Sequence, residues 1–157
     1  MAADSGKLTL HLERVLPAPR SLVFRASTEP DELARWWGPK GFTAPSVEVD
    51  LRVGGSYRIA MQPPEGGLFH LSGEFREVDP PTRLAYTFRW EEPDPDDRET
   101  VVTLSLEDLG EATGLIVEQG LFATEGRRAL HEGGWTEALV RLQALFTSQE
   151  PPGRDRR

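Results

Sequence analysis

The amino-acid sequence predicts an α+β domain: a curved antiparallel sheet of about seven strands wrapped around one long C-terminal helix, with two short helices after the first strand. Three observations predict it. Apolar residues alternate with period two at the start, short apolar runs punctuated by glycine and proline fill residues 47–121, and an apolar stripe at three- and four-residue spacing closes the chain.

Leu8, Leu10 and Leu12 alternate with Thr9, His11 and Glu13, the mark of a half-buried strand, which should end near Pro17. Pro19 suits the first turn of a helix with Leu22, Val23 and Ala26 as its apolar face. Thr28 and Asp31 have capping-box spacing for a second helix running through Trp37, and Gly38-Pro39 stops it because proline cannot continue a helix. Trp36 and Trp37 are half of the four tryptophans in the chain. Neighbours on a helix point about 100° apart, so one ring can enter a core while the other lines a cavity.

Six strands are expected after these helices, at residues 47–53, 57–61, 68–78, 84–90, 100–106 and 115–121. Gly54-Gly55 between two extended runs signals a hairpin, and with Gly66-Gly67 and Gly73 it marks where the sheet bends. The acidic stretch 91–97, with two prolines, reads as an exposed loop. In the closing helix, from about Gly126 to Thr147, Leu130 or His131, Trp135, Leu139, Leu142 and Phe146 form the stripe that must bury against the sheet. A sheet wrapped around one helix leaves a gap at one end, and short helices over its mouth turn that gap into a cavity of roughly 300–1,000 Å³, the usual size of a small-molecule site.

The 157 residues fit one domain, expected at 7–147, followed by a flexible tail at 148–157. A net charge of −8 argues against binding to phosphate backbones, so nucleic acid is excluded as a partner. The absence of cysteine removes disulfides, thiolate zinc sites and thiol nucleophiles. No apolar run approaches the ~18 residues of a membrane span, and the start lacks a signal pattern, so a soluble, cytoplasmic protein without membrane insertion is expected. Three scattered histidines without convergent acids predict no metal site, and no motif calls for a cofactor.

Five ordered motifs carry a family resemblance. They are Phe24-Arg25-Ala26 with Pro30, Trp36-Trp37-Gly38-Pro39-Lys40-Gly41-Phe42, Asp50-Leu51-Arg52-Val53-Gly54-Gly55, the run from Gly73 to Leu84, and His131-Glu132-Gly133-Gly134-Trp135. Together the chain resembles the START-like (SRPBCC) superfamily, and within it bacterial homologues of the activator of the ninety-kilodalton heat-shock chaperone's ATPase. The resemblance spans Leu8 to Phe146 and implies the helix-grip fold with a hydrophobic cavity.

The candidate ligand-binding residues are Trp36, Trp37, Phe69, Phe75, Tyr86, Phe88, Trp90, Glu118, His131 and Trp135. Tyr86, Phe88 and Trp90 share one strand face with Leu84, and such an aromatic ladder must be buried or line a pocket. Alternation sets His70 opposite Phe69, Leu71 and Phe75, which puts this histidine in solvent if the aromatics face the cavity. His131 sits one turn before Trp135 on the helix stripe. Glu118 faces either way, because a one-residue shift flips every side chain of a strand; inward, beside Ile116, its pKa would rise.

Aromatic lining with few acid–base groups favours a non-catalytic module that encloses a small apolar molecule, with no catalytic residue assigned. One alternative is an enzyme of the cyclase or dehydratase type, in which His131 and Glu118 or Tyr86 move protons, as the resemblance implies for some relatives. A third is a stress-response protein that partners a chaperone, suggested by the family's name. The eukaryotic activator's additional amino-terminal domain has no room here, which ranks this reading below the others. A homodimer also stays open. The two glycines before Trp135 cost roughly 1 kcal/mol each in a helix, and they predict a close approach of sheet or ligand at that turn.

Overall fold

The computed structural model of the chain describes residues 8–147. The stretch 148–157, expected to be a tail, lies outside the described residues. The chain runs β1 (Leu10–Leu16), α1 (Arg20–Ala26), α2 (Pro30–Trp36), β2 (Thr43–Val49), β3 (Ser56–Gln62), β4 (Phe69–Asp79), β5 (Arg83–Trp90), β6 (Thr100–Asp108), β7 (Thr113–Gly120) and α3 (Glu125–Thr147). One seven-stranded sheet has the order β1-β7-β6-β5-β4-β3-β2. Every pairing is antiparallel. The expected helix-grip α+β fold is therefore the observed one.

The sheet wraps α3 because its inner face is apolar along every strand. Leu10, Leu12 and Leu16 of β1, Leu115 and Val117 of β7, Leu104 and Leu106 of β6, and Leu84 and Tyr86 of β5 join Trp135, Leu139 and Leu142 of α3 in one core. Curvature has a visible cause in β4. A side chain on Gly73 would put its Cβ 1.9 Å from the Thr87 carbonyl oxygen, an oxygen that already accepts the Tyr57 hydroxyl at 2.6 Å. The register then shifts between Phe75 and Glu77, the bulge by which a strand bends.

Some local expectations are corrected. The strand placed at 47–53 runs instead over Thr43–Val49, and Leu51 and Val53 are exposed in the turn that follows. Asp50 fixes that turn through its side chain, which accepts Arg52 Nε at 3.0 Å. Pro45 is tolerated inside β2 because β2 is an edge strand, where a missing N–H breaks no inner ladder. The capping box at Thr28 and Asp31 does not form: the Thr28 hydroxyl donates to the Phe24 carbonyl at 2.9 Å, and α2 begins with Pro30 in its first turn and no side-chain cap. Helix α3 is capped by Thr124, whose hydroxyl accepts the Arg127 backbone N–H at 3.1 Å.

Candidate functional site

The buried side chains of α3 all lie from Trp135 onward. Its buried residues are Trp135, Ala138, Leu139, Leu142 and Leu145, so the stripe fades before Trp135 and Leu130 is 59% exposed. Where the helix stands off the sheet there is a pocket of about 680 Å³. The Trp37–Phe42 segment, the ends of β3, β4 and β5, the 91–97 loop and the first half of α3 enclose it.

Rings form one wall. Phe42 meets Phe69 edge-on at 6.1 Å between centroids, Phe69 meets Trp90 at 5.2 Å, and Trp90 meets Phe88 at 5.2 Å. The row continues to His131, 5.3 Å from Phe88 and 4.9 Å from Phe122. Met61 adds a thioether to the lining. At the closed end Trp37 stands edge-on to Trp135 at 5.4 Å. The Trp135 indole donates to Gln119 Oε1 at 2.8 Å, and Gln119 in turn donates to the Thr100 hydroxyl at 2.9 Å. This buried relay fixes the indole's plane, since a buried amide without partners would cost about 1–3 kcal/mol.

The polar groups of the lining run from exposed Glu92 and Asp94 to part-buried Arg127 and Asp97. Arg127 ion-pairs with Asp97, whose side chain is only 8% exposed, and lies 3.5 Å from Asp94. Its Nε is buried without a hydrogen-bond partner, 3.8 Å from Asp96. The acidic stretch is thus not wholly exposed, because Arg127 draws Asp97 inward. Glu92 accepts the His70 ring at 2.9 Å, and Glu137 accepts the Lys40 backbone N–H at 2.9 Å. His131 Nε2 takes the Trp90 indole N–H at 3.4 Å, which leaves the ring proton on Nδ1. Burial, with Arg127 adding repulsion, pushes the His131 pKa down to about 4, so the imidazole is neutral at pH 7.

Of the ten candidate residues, the pocket brings together Trp37, Phe69, Phe88, Trp90, His131 and Trp135. The other four lie elsewhere. Trp36 is a core anchor whose indole donates to the Ala26 carbonyl at 2.9 Å. Phe75 and Tyr86 meet edge-on, and both contact Tyr57 in the buried core. Glu118 points out of the sheet, with its side chain 51% exposed and bonded to His11 at 3.1 Å. The reason is register: Leu115, Val117 and Gln119 are the buried positions of β7, so Ile116 and Glu118 face away.

His70, Glu91 and Glu92 lie within 4.8 Å of one another through their ligand-type atoms, a convergence that sequence spacing did not reveal. Arg58 already holds Glu91 through two bonds of 2.9 Å. Phe42, Met61, Arg127, Asp97 and Glu137 also line the pocket without having been singled out. Phe42 closes the Trp36–Phe42 motif and Asp97 the acidic stretch, while Arg127 is a cation in the first turn of α3, where the helix dipole favours an acid.

No curated protein matches the chain. The profile of the family described as Activator of Hsp90 ATPase homolog 1-like protein matches residues 17–147. A crystal structure of a Chromobacterium violaceum protein is 31% identical, with a TM-score of 0.81 over 88% of this chain and 96% of that one. One from Nitrosomonas europaea is 33% identical, with a TM-score of 0.77 over 91% and 96%. A third, from Silicibacter pomeroyi, is 29% identical, with a TM-score of 0.79 over 90% and 99%.

Proposed function

We propose, from the premise that this chain belongs to the Activator of Hsp90 ATPase homolog 1-like family, that it binds a small, largely apolar molecule in the pocket beside α3 without transforming it. The observation that carries this reading is the pocket itself: about 680 Å³, walled by Phe42, Phe69, Phe88, Trp90, Trp37 and Trp135. Its size falls within the range that encloses drug-sized ligands, and its aromatic lining suits apolar contact. No helix among the described residues is long and apolar enough to cross a membrane.

The arrangement of polar groups supports binding over catalysis. A cyclase-type reaction needs a proton donor and acceptor converging on one substrate atom. Glu118 faces the other side of the sheet. Asp97 is spent on Arg127, and Tyr86 lies outside the lining. That leaves His131, neutral and hydrogen-bonded to Trp90, without an acid–base partner from the proposed set. The chaperone-partner reading rests on the family's name.

Titration with the neutral, environment-sensitive dye Nile red tests the proposal, with native mass spectrometry of freshly purified protein as a second measurement. The dye should brighten on the wild type and fail on Gly133→Leu, which fills the lining from the helix side. Equal brightening on both proteins, or none on either with no retained small molecule, would overturn it.

A further inference from the structure

We propose that the pocket selects a lipophilic cation: an apolar body carrying a delocalised or alkylated positive charge. The inference rests on the ligand-binding reading above and specifies its chemistry. Four carboxylates line the pocket, Glu92, Asp94, Asp97 and Glu137, against a single cationic side chain, Arg127. That one cation is already neutralised. Asp97 pairs with Arg127 directly, Asp94 stands 3.5 Å from it and Asp96 3.8 Å. The surplus in the lining is therefore negative.

An anionic ligand has little to recognise it. The Arg127 Nε has no hydrogen-bond partner, but three aspartates surround the guanidinium and would repel a second anion. The His131 ring hydrogen-bonds to Trp90 and packs among Phe88, Trp90 and Phe122. Lys40 and Arg141 stand near the Trp37–Pro39 segment but outside the lining, and Arg141 donates to the carbonyls of Gly38 and Pro39 at 2.9 and 3.0 Å. His70 is the other basic group at the rim, and its ring is held by Glu92.

A cation, in contrast, meets favourable groups at both depths. Ring faces of Trp90, Phe69, Phe88 and Trp37 carry the negative side of their quadrupoles and attract a desolvated positive charge, Trp most strongly. Glu92 and Glu137 are exposed carboxylates of the lining, open to an arriving cation. Neither is spent on a side-chain guanidinium: Glu92 holds His70, and Glu137 accepts a backbone N–H. Aromatic walls with an acidic rim suit neither a fatty acid nor a phosphate ester.

The decisive comparison uses tetraphenylphosphonium and tetraphenylborate, near-isosteres of opposite charge, titrated calorimetrically beside neutral Nile red. The cation should bind at least about tenfold more tightly than the anion at low salt, the size one desolvated cation–π contact supplies. In about 1 M salt, where the Debye length shrinks to about 3 Å, the preference should narrow. It should also narrow in the double variant Glu92→Gln, Glu137→Gln, whose circular dichroism spectrum and cooperative thermal unfolding report an intact fold. Equal or tighter binding of the borate with Nile red still bound would overturn the cation assignment and leave the binding function standing. A cation preference unchanged in the double variant would overturn the role of the rim. If neither ion nor Nile red binds, the binding function fails as well.

Discussion

His131 and Trp135 sit one helical turn apart in the same pocket and should respond differently to substitution. Above pH ~6.5 the imidazole is neutral in the folded and unfolded chain alike. As the pH falls, the unfolded chain takes up a proton that the folded one refuses until its depressed pKa of about 4 is reached. Stability is therefore lost across that window, by about 3 kcal/mol at its lower end. His11 acts in the opposite sense: the hydrogen bonds it donates to Glu13 and Glu118 raise its pKa, so its stabilisation is present at low pH and fades as pH rises through that raised value. It is exposed, and its share is small. Replacing His131 with Gln, which can still accept the Trp90 indole, should flatten the fall in melting temperature between pH 6.5 and 4. Parallel curves for variant and wild type would show that the burial of His131 does not govern acid sensitivity. Trp135→Ala should cost about 3–5 kcal/mol at every pH, because it opens a core cavity and strands Gln119, measured by urea unfolding.

At the scale of elements, α3 explains what its glycines do. A close approach was expected at Gly133-Gly134, yet a Cβ on Gly133 would meet nothing within 4 Å, and one on Gly134 only Pro39 at an ordinary 3.7 Å. Both glycines line the pocket. They widen it where side chains would fill it. Gly133→Ala should therefore raise stability by about 1 kcal/mol through helix propensity, read as a higher melting temperature, while trimming the space for ligand. Strain at that turn would instead show as a loss of stability. Each element was legible because its period is long or its punctuation sharp, as in β1, β5 and α3. The β2 boundary was not, since Leu51 and Val53 are apolar residues of an exposed turn and mimic a strand. The site was legible only as a face. Alternation shows that Tyr86, Phe88 and Trp90 point the same way, but how far each lies along the groove is a tertiary fact, and so Tyr86 and Phe75 fell in the core while Trp90 reached the pocket. Phe42, Arg127 and Asp97 come from separate segments that only the folded chain brings together.

Across the whole molecule, these packing differences make stability uneven. From Trp135 onward α3 carries every one of its buried side chains. Its first half has fewer anchors: Arg127 pairs with Asp97, Arg128 pairs along the helix with Glu125 at 2.8 Å and with Glu132, and His131 packs on Phe88, Trp90 and Phe122. Opening that half exposes less apolar surface than opening the second, so its free energy of local unfolding lies below that of the second half. The sheet reaches this half at His131, through Phe88 and Trp90, and stands off the helix where the pocket lies. Amide hydrogen exchange should accordingly be faster at 129–134 than at 138–145 in the ligand-free protein. A molecule filling the pocket supplies the missing partner for residues 129–134, and bound tetraphenylphosphonium or Nile red should slow exchange there while leaving 138–145 unchanged. This couples occupancy to the order of one helix without any rearrangement of the sheet. Uniform exchange along α3 in the free protein would instead mean that the contacts at its start hold as firmly as the core. Bound dye would then leave no local signature on the helix.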